Sequence, residues 1–480
     1  MISRSPARSQ SAEKSTRQGA PRPSRGPRKA GAQDRQTSVH PSRQPRSGVG
    51  ALQPDSLAWA MKTAAGCVTE VVAFGRSLTM VLAHLRQQQL PDNAVRSQAI
   101  DLTYATLRRY GRAEVELSHL LDRPTAEDEL RNLLRVALCW LEMHPEKAHV
   151  GVDQAVEAAA TLSGGRYRGF VNAILRWALR ERAQLDAAIA ADDEAQYQHP
   201  AWWLRRLKAD WPDAWPAIVA GGNRKPPMGL RVNRLHTDVA AYTRTLADAG
   251  VAMAAEISDT GPDAILLAQP QAAESLPGFA AGDVAVQDLG AQQAALLLDV
   301  QPGMRVLDAC AAPGGKAAHL LESAPIDLTA IEIDPVRCAS LERALDPTRF
   351  PVDRNIHVVC ADAGRPGKWA KRPFDAILLD APCSGSGVAG RHPDAKWLRR
   401  DEDIPALART QRYLLKALWP LLKPGGRLLY GTCSLFTQEN RWQIDAFLQA
   451  MLDARLVTER RLIPDASHDG FYYALLEKRA

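Results

Sequence analysis

The apolar positions change their period along the chain. From about residue 54 to 188 they recur every three to four residues, as along one face of a helix. Leu133, Leu134, Ala137, Leu138 and Leu141 form one such stripe, and Val171, Ile174, Leu175, Ala178 and Leu179 form another within RGFVNAILRWALR. The pair Gly164-Gly165 interrupts the pattern ahead of the second stripe. The spacing predicts an all-helical domain over residues 53–188 with these positions as bundle core. Residues 189–227 read as a helical connector that contains HPAWWLRRLKADWP and ends in NRKPPM. It mixes Trp202 and Trp203 with Arg205, Arg206 and Lys208, which suits packing against a neighbouring domain better than an RNA-facing patch. Residues 228–276 predict a small α/β module: MGLRVNRL, a helix near 237–249, and an end near the turn at Pro277-Gly278.

From 277 to 480 short apolar runs alternate with helical stretches. MRVLDA, LTAIEID, IHVVCAD, FDAILLDAP and GGRLLYGTCS each read as a buried strand. Ile404, Leu407, Ala408, Leu414, Leu415 and Leu418 stripe an amphipathic helix between 403 and 422. Such alternation predicts parallel strands covered by helices on both faces, a Rossmann-like α/β domain.

Charge adds one segment to this picture. Residues 1–50 carry eleven Lys and Arg against Glu13 and Asp34, so the net charge of +6 divides into +9 for this arm and −3 for the remainder. With almost no large apolar residue, residues 1–52 are expected to be a disordered basic tail that meets phosphates without sequence preference. The start of the chain lacks the apolar stretch of a secretory signal. No apolar run reaches the roughly 20 residues that span a bilayer. Seven scattered cysteines, an odd number, predict reduced thiols in a cytoplasmic protein rather than a disulfide framework. Without a C-x-x-C pair or a nearby histidine cluster, no metal site is expected.

The chemistry-bearing residues gather at strand ends. LDACAAPGGKAAHLLE runs from a strand through a small-residue loop, Pro313-Gly314-Gly315, into a helix. Such a turn lets backbone and free helical N–H groups approach a nucleotide-type ligand. It is neither the G-x-G-x-x-G fingerprint nor a Walker loop, because Cys310 stands where the first Walker glycine would be. The next strands end at Glu332, which can accept from both ribose hydroxyls, at Asp362, which can accept from an adenine amine, and at Asp380. Cys383 in DAPCSGSG and Cys433 in TCS fall at the same edge, whereas Cys67, Cys139, Cys310, Cys338 and Cys360 read by default as small buried hydrophobes. Two thiols beside an adenosyl pocket fit one particular problem: carbon 5 of cytosine is a poor nucleophile until a thiolate adds to carbon 6. Lys316 is placed to favour the thiolate, and Asp380 to hold the amine or ring nitrogen of the base.

LDACAAPGGK, FDAILLDAPCSGSG, RHPDAKWLRR and YGTCS together resemble the Nol1/Nop2/Sun family of RNA cytosine-5 methyltransferases, over nearly all of the chain after the basic tail. The helical region, with LRVALCWLEM and RGFVNAILR, is similar to the antitermination factor NusB. The resemblance implies an N-terminal NusB-like RNA-binding bundle, a small RNA-recognition-like module and an S-adenosylmethionine-dependent catalytic domain. It implies that Cys433 is the nucleophile and Cys383 assists product release. It places the cofactor on Cys310, Ala311, Ala312, Pro313, Gly314, Gly315, Lys316, Glu332, Asp362 and Asp380. Glu332 departs from the family, where Asp is usual; its longer arm still reaches a ribose. The NusB-like part implies 16S ribosomal RNA, not fully assembled into a subunit, as the partner of a monomeric enzyme. The alternatives are a transfer RNA or DNA cytosine-5 methyltransferase, or a noncatalytic NusB-like RNA-binding protein; a DNA enzyme would use Cys383 as its nucleophile.

Overall fold

A computed structural model describes residues 52–87, 93–123, 125, 127–254, 261–351 and 353–479. All of them fall within the unit Val49–Ala480. The predicted basic tail lies outside the described residues, except for Leu52.

Helices Leu57–Val72, Asp128–Met143, Ala148–Ala159 and Arg168–Arg180 contribute to the first core. Asp128–Met143 buries Leu133, Leu134, Ala137, Leu138 and Leu141, and its first turn carries Asp128 and Glu129, which complement the positive end of the helix. Arg168–Arg180 buries Val171, Ile174, Leu175 and Ala178. Leu179, expected in the same stripe, is 41% exposed. At roughly 100° per residue it stands about 80° round from Val171, at the margin of the buried face.

The connector forms helices Asp193–Tyr197, Ala201–Asp210 and Trp215–Asn223. Its aromatic and basic residues pack inward. Trp203 is fully buried with its ring 5.3 Å from that of Phe436, and Arg206 donates to Asp401 and Gln438. The small module is an antiparallel sheet of β1 (Gly229–Val232), β2 (Ala264–Leu266) and β3 (Val284–Val286) in the order β2-β1-β3, with helix Val239–Asp248. Its third strand lies beyond residue 276, where the sequence reading ended the module.

The C-terminal domain contains β4 (Arg305–Ala309), β5 (Asp327–Glu332), β6 (Asn355–Cys360), β7 (Phe374–Asp380), β8 (Leu422–Thr432), β9 (Ala454–Leu462) and β10 (Phe471–Lys478). Their order is β6-β5-β4-β7-β8-β10-β9. The first five pair in parallel as expected, but β10 pairs antiparallel with both β8 and β9, which the reading of an all-parallel sheet missed. The link from β9 to β10 is too short for a crossover helix, so the two close as a hairpin.

RHPDAKWLRR joins the helical domain to the C-terminal one. Helix Asp394–Leu398 sits at the junction. Asp394 Oδ2 accepts from the Leu78 amide at the start of helix Leu78–Gln87. Trp397 Nε1 donates to the Leu107 carbonyl, and the Arg108 guanidinium donates twice to the Gly390 carbonyl. Lys396 is fully buried there; its Nζ donates to Asn223 Oδ1 at 2.9 Å and to the Arg108 carbonyl. Burial, then the Arg108 charge, lowers its pKa to about 7.

This lysine gives stability a pH dependence. In the native state it sheds its proton near pH 7, whereas the unfolded chain keeps it into the ordinary lysine range. Between those limits the unfolded state binds more protons, so stability rises with pH, at up to about 1.4 kcal/mol per pH unit from this group. Urea denaturation of wild type and Lys396→Met across that range should show the rise weakened in the variant; equal slopes would exclude Lys396 as its source.

Candidate functional site

The sheet order reverses between β4 and β7: from β4 the chain proceeds outward through β5 and β6, and from β7 outward through β8. Open parallel sheets bind ligands at the carboxyl edge of such a switch point. Register brings the candidate residues to that edge. Ala309 pairs with Ile331 and with Leu379, Glu332 with Cys360, and Asp380 with Gly431. Cys310, Glu332, Asp362, Asp380 and Cys433 therefore follow or end five adjacent strands.

The loop after β4 turns sharply. Cys310 has φ 63° and Gly314 φ 107°, both left-handed, and helix Gly315–Ser323 begins directly after. A side chain at 314 would put its Cβ 2.9 Å from that of Ala344. Lys316, on the first turn of the helix, places Nζ 2.6 Å from Asp380 Oδ1. Burial alone would depress the ammonium, but the Asp380 carboxylate outweighs it and the pKa is raised. Glu332 is buried; Oε1 accepts from the Ile333 and Asp334 amides, while Oε2 has no hydrogen-bond partner. Asp362 Oδ1 accepts from the Gly364 amide, and its Oδ2 lies 3.3 Å from Arg365 Nε.

Cys383 and Cys433 meet, with Sγ atoms 3.4 Å apart. The hydrogen bond to Cys433, then burial, raise the Cys383 thiol well above the ordinary range. Burial raises the thiols of Cys67 and Cys338, both buried, to about 11, and those of buried Cys139 and half-buried Cys310 to about 12, whereas Cys360, read from sequence as buried, is exposed because it ends the edge strand β6. Among the described residues no group of three or more His, Cys, Asp or Glu is arranged to hold a metal ion, and no helix is long and apolar enough to cross a membrane.

Three residues of this site escaped the sequence reading. Asp308, on β4, is fully buried with neither carboxylate oxygen hydrogen-bonded; burial and the Asp380 charge raise its pKa well above normal. Arg231, on β1, is fully buried, makes a two-point contact with Glu322 and donates to the Gly315 carbonyl at 3.0 Å. It anchors the loop from the small module, beside a cavity of ≈ 580 Å³ that also touches Asn233, His236, Pro313 and Arg349. Its only signal was a charge set between apolar residues, Leu230 and Val232, within MGLRVNRL. Glu439 is fully buried behind the cysteines and follows Cys433 by six residues.

Comparison with known proteins covers the whole described architecture. Residues 295–477 match the family 16S rRNA methyltransferase RsmB/F, residues 199–274 the RsmF/B-like ferredoxin-like domain, and residues 62–180 the NusB family. Ribosomal RNA small subunit methyltransferase B of Vibrio cholerae is 42% identical over 427 residues, 87% of this chain and 96% of that protein. The protein of the same name from Escherichia coli O127:H6 is 39% identical over 428 residues, 87% of this chain and 98% of that protein. The crystal structure of PH0851 shares the fold with a TM-score of 0.71 and 24% identity, over 87% of this chain and 99% of that one. NSun6 from Pyrococcus horikoshii, solved with SFG, has a TM-score of 0.51 and 20% identity, over 58% of this chain and 98% of that one.

The loop geometry yields a direct test. Gly314→Ala forces a left-handed alanine against Ala344 and Leu341. It should cost about 1–3 kcal/mol of stability in chemical denaturation, the range for a strained non-glycine residue. An unchanged midpoint would mean that the loop relaxes freely.

Proposed function

This chain belongs to the RsmB/F family of 16S rRNA methyltransferases, and from that premise we propose that it methylates carbon 5 of a specific cytosine in 16S ribosomal RNA through a covalent bond from Cys433 to carbon 6. The observation that carries this reading is the contact of two unequal thiols, 3.4 Å apart, beside the Lys316–Asp380 ion pair.

S-adenosylmethionine, when bound, supplies an electrophilic methyl group on a sulfonium. The residues at the edge suit it. Glu332 Oε2, buried and without a hydrogen bond, lies 3.4 Å from the Arg337 guanidinium and can accept from a ribose hydroxyl. Gly314 lets the loop turn into helix Gly315–Ser323 against Ala344 and Leu341, and Asp362 and Asp380 border the same edge. Cys310 to Lys316, Glu332, Asp362 and Asp380 would hold the group.

The chain's own part is nucleophilic catalysis. The Lys316 ammonium favours a thiolate at Cys433. Cys383 remains a thiol and presents its S–H to the Cys433 sulfur. Addition forms the bond from Cys433 sulfur to carbon 6 and delivers an electron pair to carbon 5. Asp380, held by Lys316, lies where it can accept from the exocyclic amine and orient the ring. Once carbon 5 is methylated, its proton departs to water or a base. The 5,6 double bond re-forms and the Cys433–carbon 6 bond breaks. The Cys383 S–H stabilises the departing thiolate, which is how it assists release.

Two variants separate these roles. Cys433→Ala should abolish methyl incorporation into 16S ribosomal RNA and leave S-adenosylmethionine binding intact. Cys383→Ala should form the bond but release slowly, accumulating a protein–RNA complex that survives a denaturing gel. Turnover by Cys433→Ala, with no adduct in Cys383→Ala, would reverse the assignment.

A further inference from the structure

Glu439 lies at the end of the turn Thr437–Glu439 with its side chain fully buried. One oxygen accepts from the Ser384 amide at 2.8 Å and from Gln411 Nε2 at 3.1 Å; the other accepts from the Ser434 hydroxyl at 2.6 Å. Ser384 follows Cys383 and Ser434 follows Cys433. A single carboxylate therefore grips the residue after each thiol. The Ser384, Ser386 and Ser434 hydroxyls close a triangle beneath it, with sides of 3.1, 3.2 and 3.2 Å. The neighbouring Asn440 holds the Cys433 loop from both sides, accepting from Thr432 Oγ1 and donating to the Ser434 carbonyl.

We infer that Glu439 is a positioning residue for the two cysteines: by gripping Ser384 and Ser434 it locks their loops in the sulfur contact from which their different roles arise. The Ser384 amide and the Gln411 amide can only donate, so Oε1 is held as an acceptor, and Oε2 shares a hydrogen with the Ser434 hydroxyl. Burial raises its pKa, and the Ser384, Ser434 and Gln411 donors oppose that rise. Its charge is among the causes that raise the Cys383 thiol, after the hydrogen bond to Cys433, burial and the Cys433 charge. The division of labour rests on the proposed function; the clamp itself does not.

The test begins with free enzyme. In a Cys433→Ser background, which removes the partner thiol, alkylation of Cys383 by iodoacetamide is followed against pH by peptide mass mapping. Adding Glu439→Gln should move the alkylation midpoint down by about one pH unit or more, as loss of a nearby like charge does. In the otherwise native enzyme, Glu439→Gln should lower turnover on the order of 100-fold, as a misplacement of about 1 Å can. Covalent RNA adduct should accumulate while S-adenosylmethionine affinity stays unchanged. A folded variant with an unmoved alkylation midpoint and normal turnover would overturn the inference. Should Glu439→Gln fail to fold, Gln411→Leu removes one donor and keeps the charge. It should slow turnover without the alkylation shift, and normal turnover there would equally overturn the clamp. A shifted midpoint together with an active Cys433→Ala enzyme would sustain the clamp while sinking the proposed function.

Discussion

The Lys316 ammonium meets the Asp380 carboxylate where the chain leaves two neighbouring strands of one sheet. A buried ammonium is costly unless paired, and this pair is worth keeping only if its geometry is held. The sheet holds it: β4 delivers the loop that begins helix Gly315–Ser323, and β7 delivers Asp380. Three carboxylates, Asp308, Glu332 and Asp380, lie on three adjacent strands at the edge Lys316 faces. The Asp380 charge raises both the Asp308 carboxyl and the Cys310 thiol. A charge on Cys433 would in turn support the Lys316 ammonium.

The paired thiols extend the same logic. Two like groups in contact cannot both ionise readily, so whichever is better supported becomes the anion and the other holds the proton. At Cys383 the hydrogen bond to Cys433, then burial, then the Cys433 and Glu439 charges disfavour the anion. The asymmetry comes from what lies behind each loop rather than from the cysteines themselves.

The helical domain is tied into this arrangement. The segment that follows the Cys383 loop accepts from the first amide of Leu78–Gln87 and donates to the Leu107 carbonyl near the end of Asn93–Arg108. Helix ends leave backbone groups without partners, and the catalytic domain supplies them here. Arg399, at the far end of that segment, returns to the Ser384 carbonyl beside Cys383. Arg231 does the same service for the Gly315 loop from the small module. Both loops that form the site are thus held from outside the sheet that carries them.

Much of this was legible in the chain. Period alone separated the helical domain from the α/β domain, because amphipathic helices and buried strands place apolar residues at different spacings. Glu332, Asp362, Asp380, Cys383 and Cys433 were legible as neighbours at one edge because parallel strands bring their carboxyl ends together. Leu179 marked where the period becomes ambiguous, at the margin of a helical stripe. The antiparallel β9 and β10 were missed because the five preceding strands set the expectation of parallel pairing, whereas register and direction depend on the length of the link. The contact of the two thiols, the carboxylate oxygen left without a hydrogen bond, and the surroundings of Arg231, Lys396 and Glu439 were decided only by the tertiary structure. A charge is shifted, paired or silenced by what packs against it, and those neighbours come from positions far away along the chain.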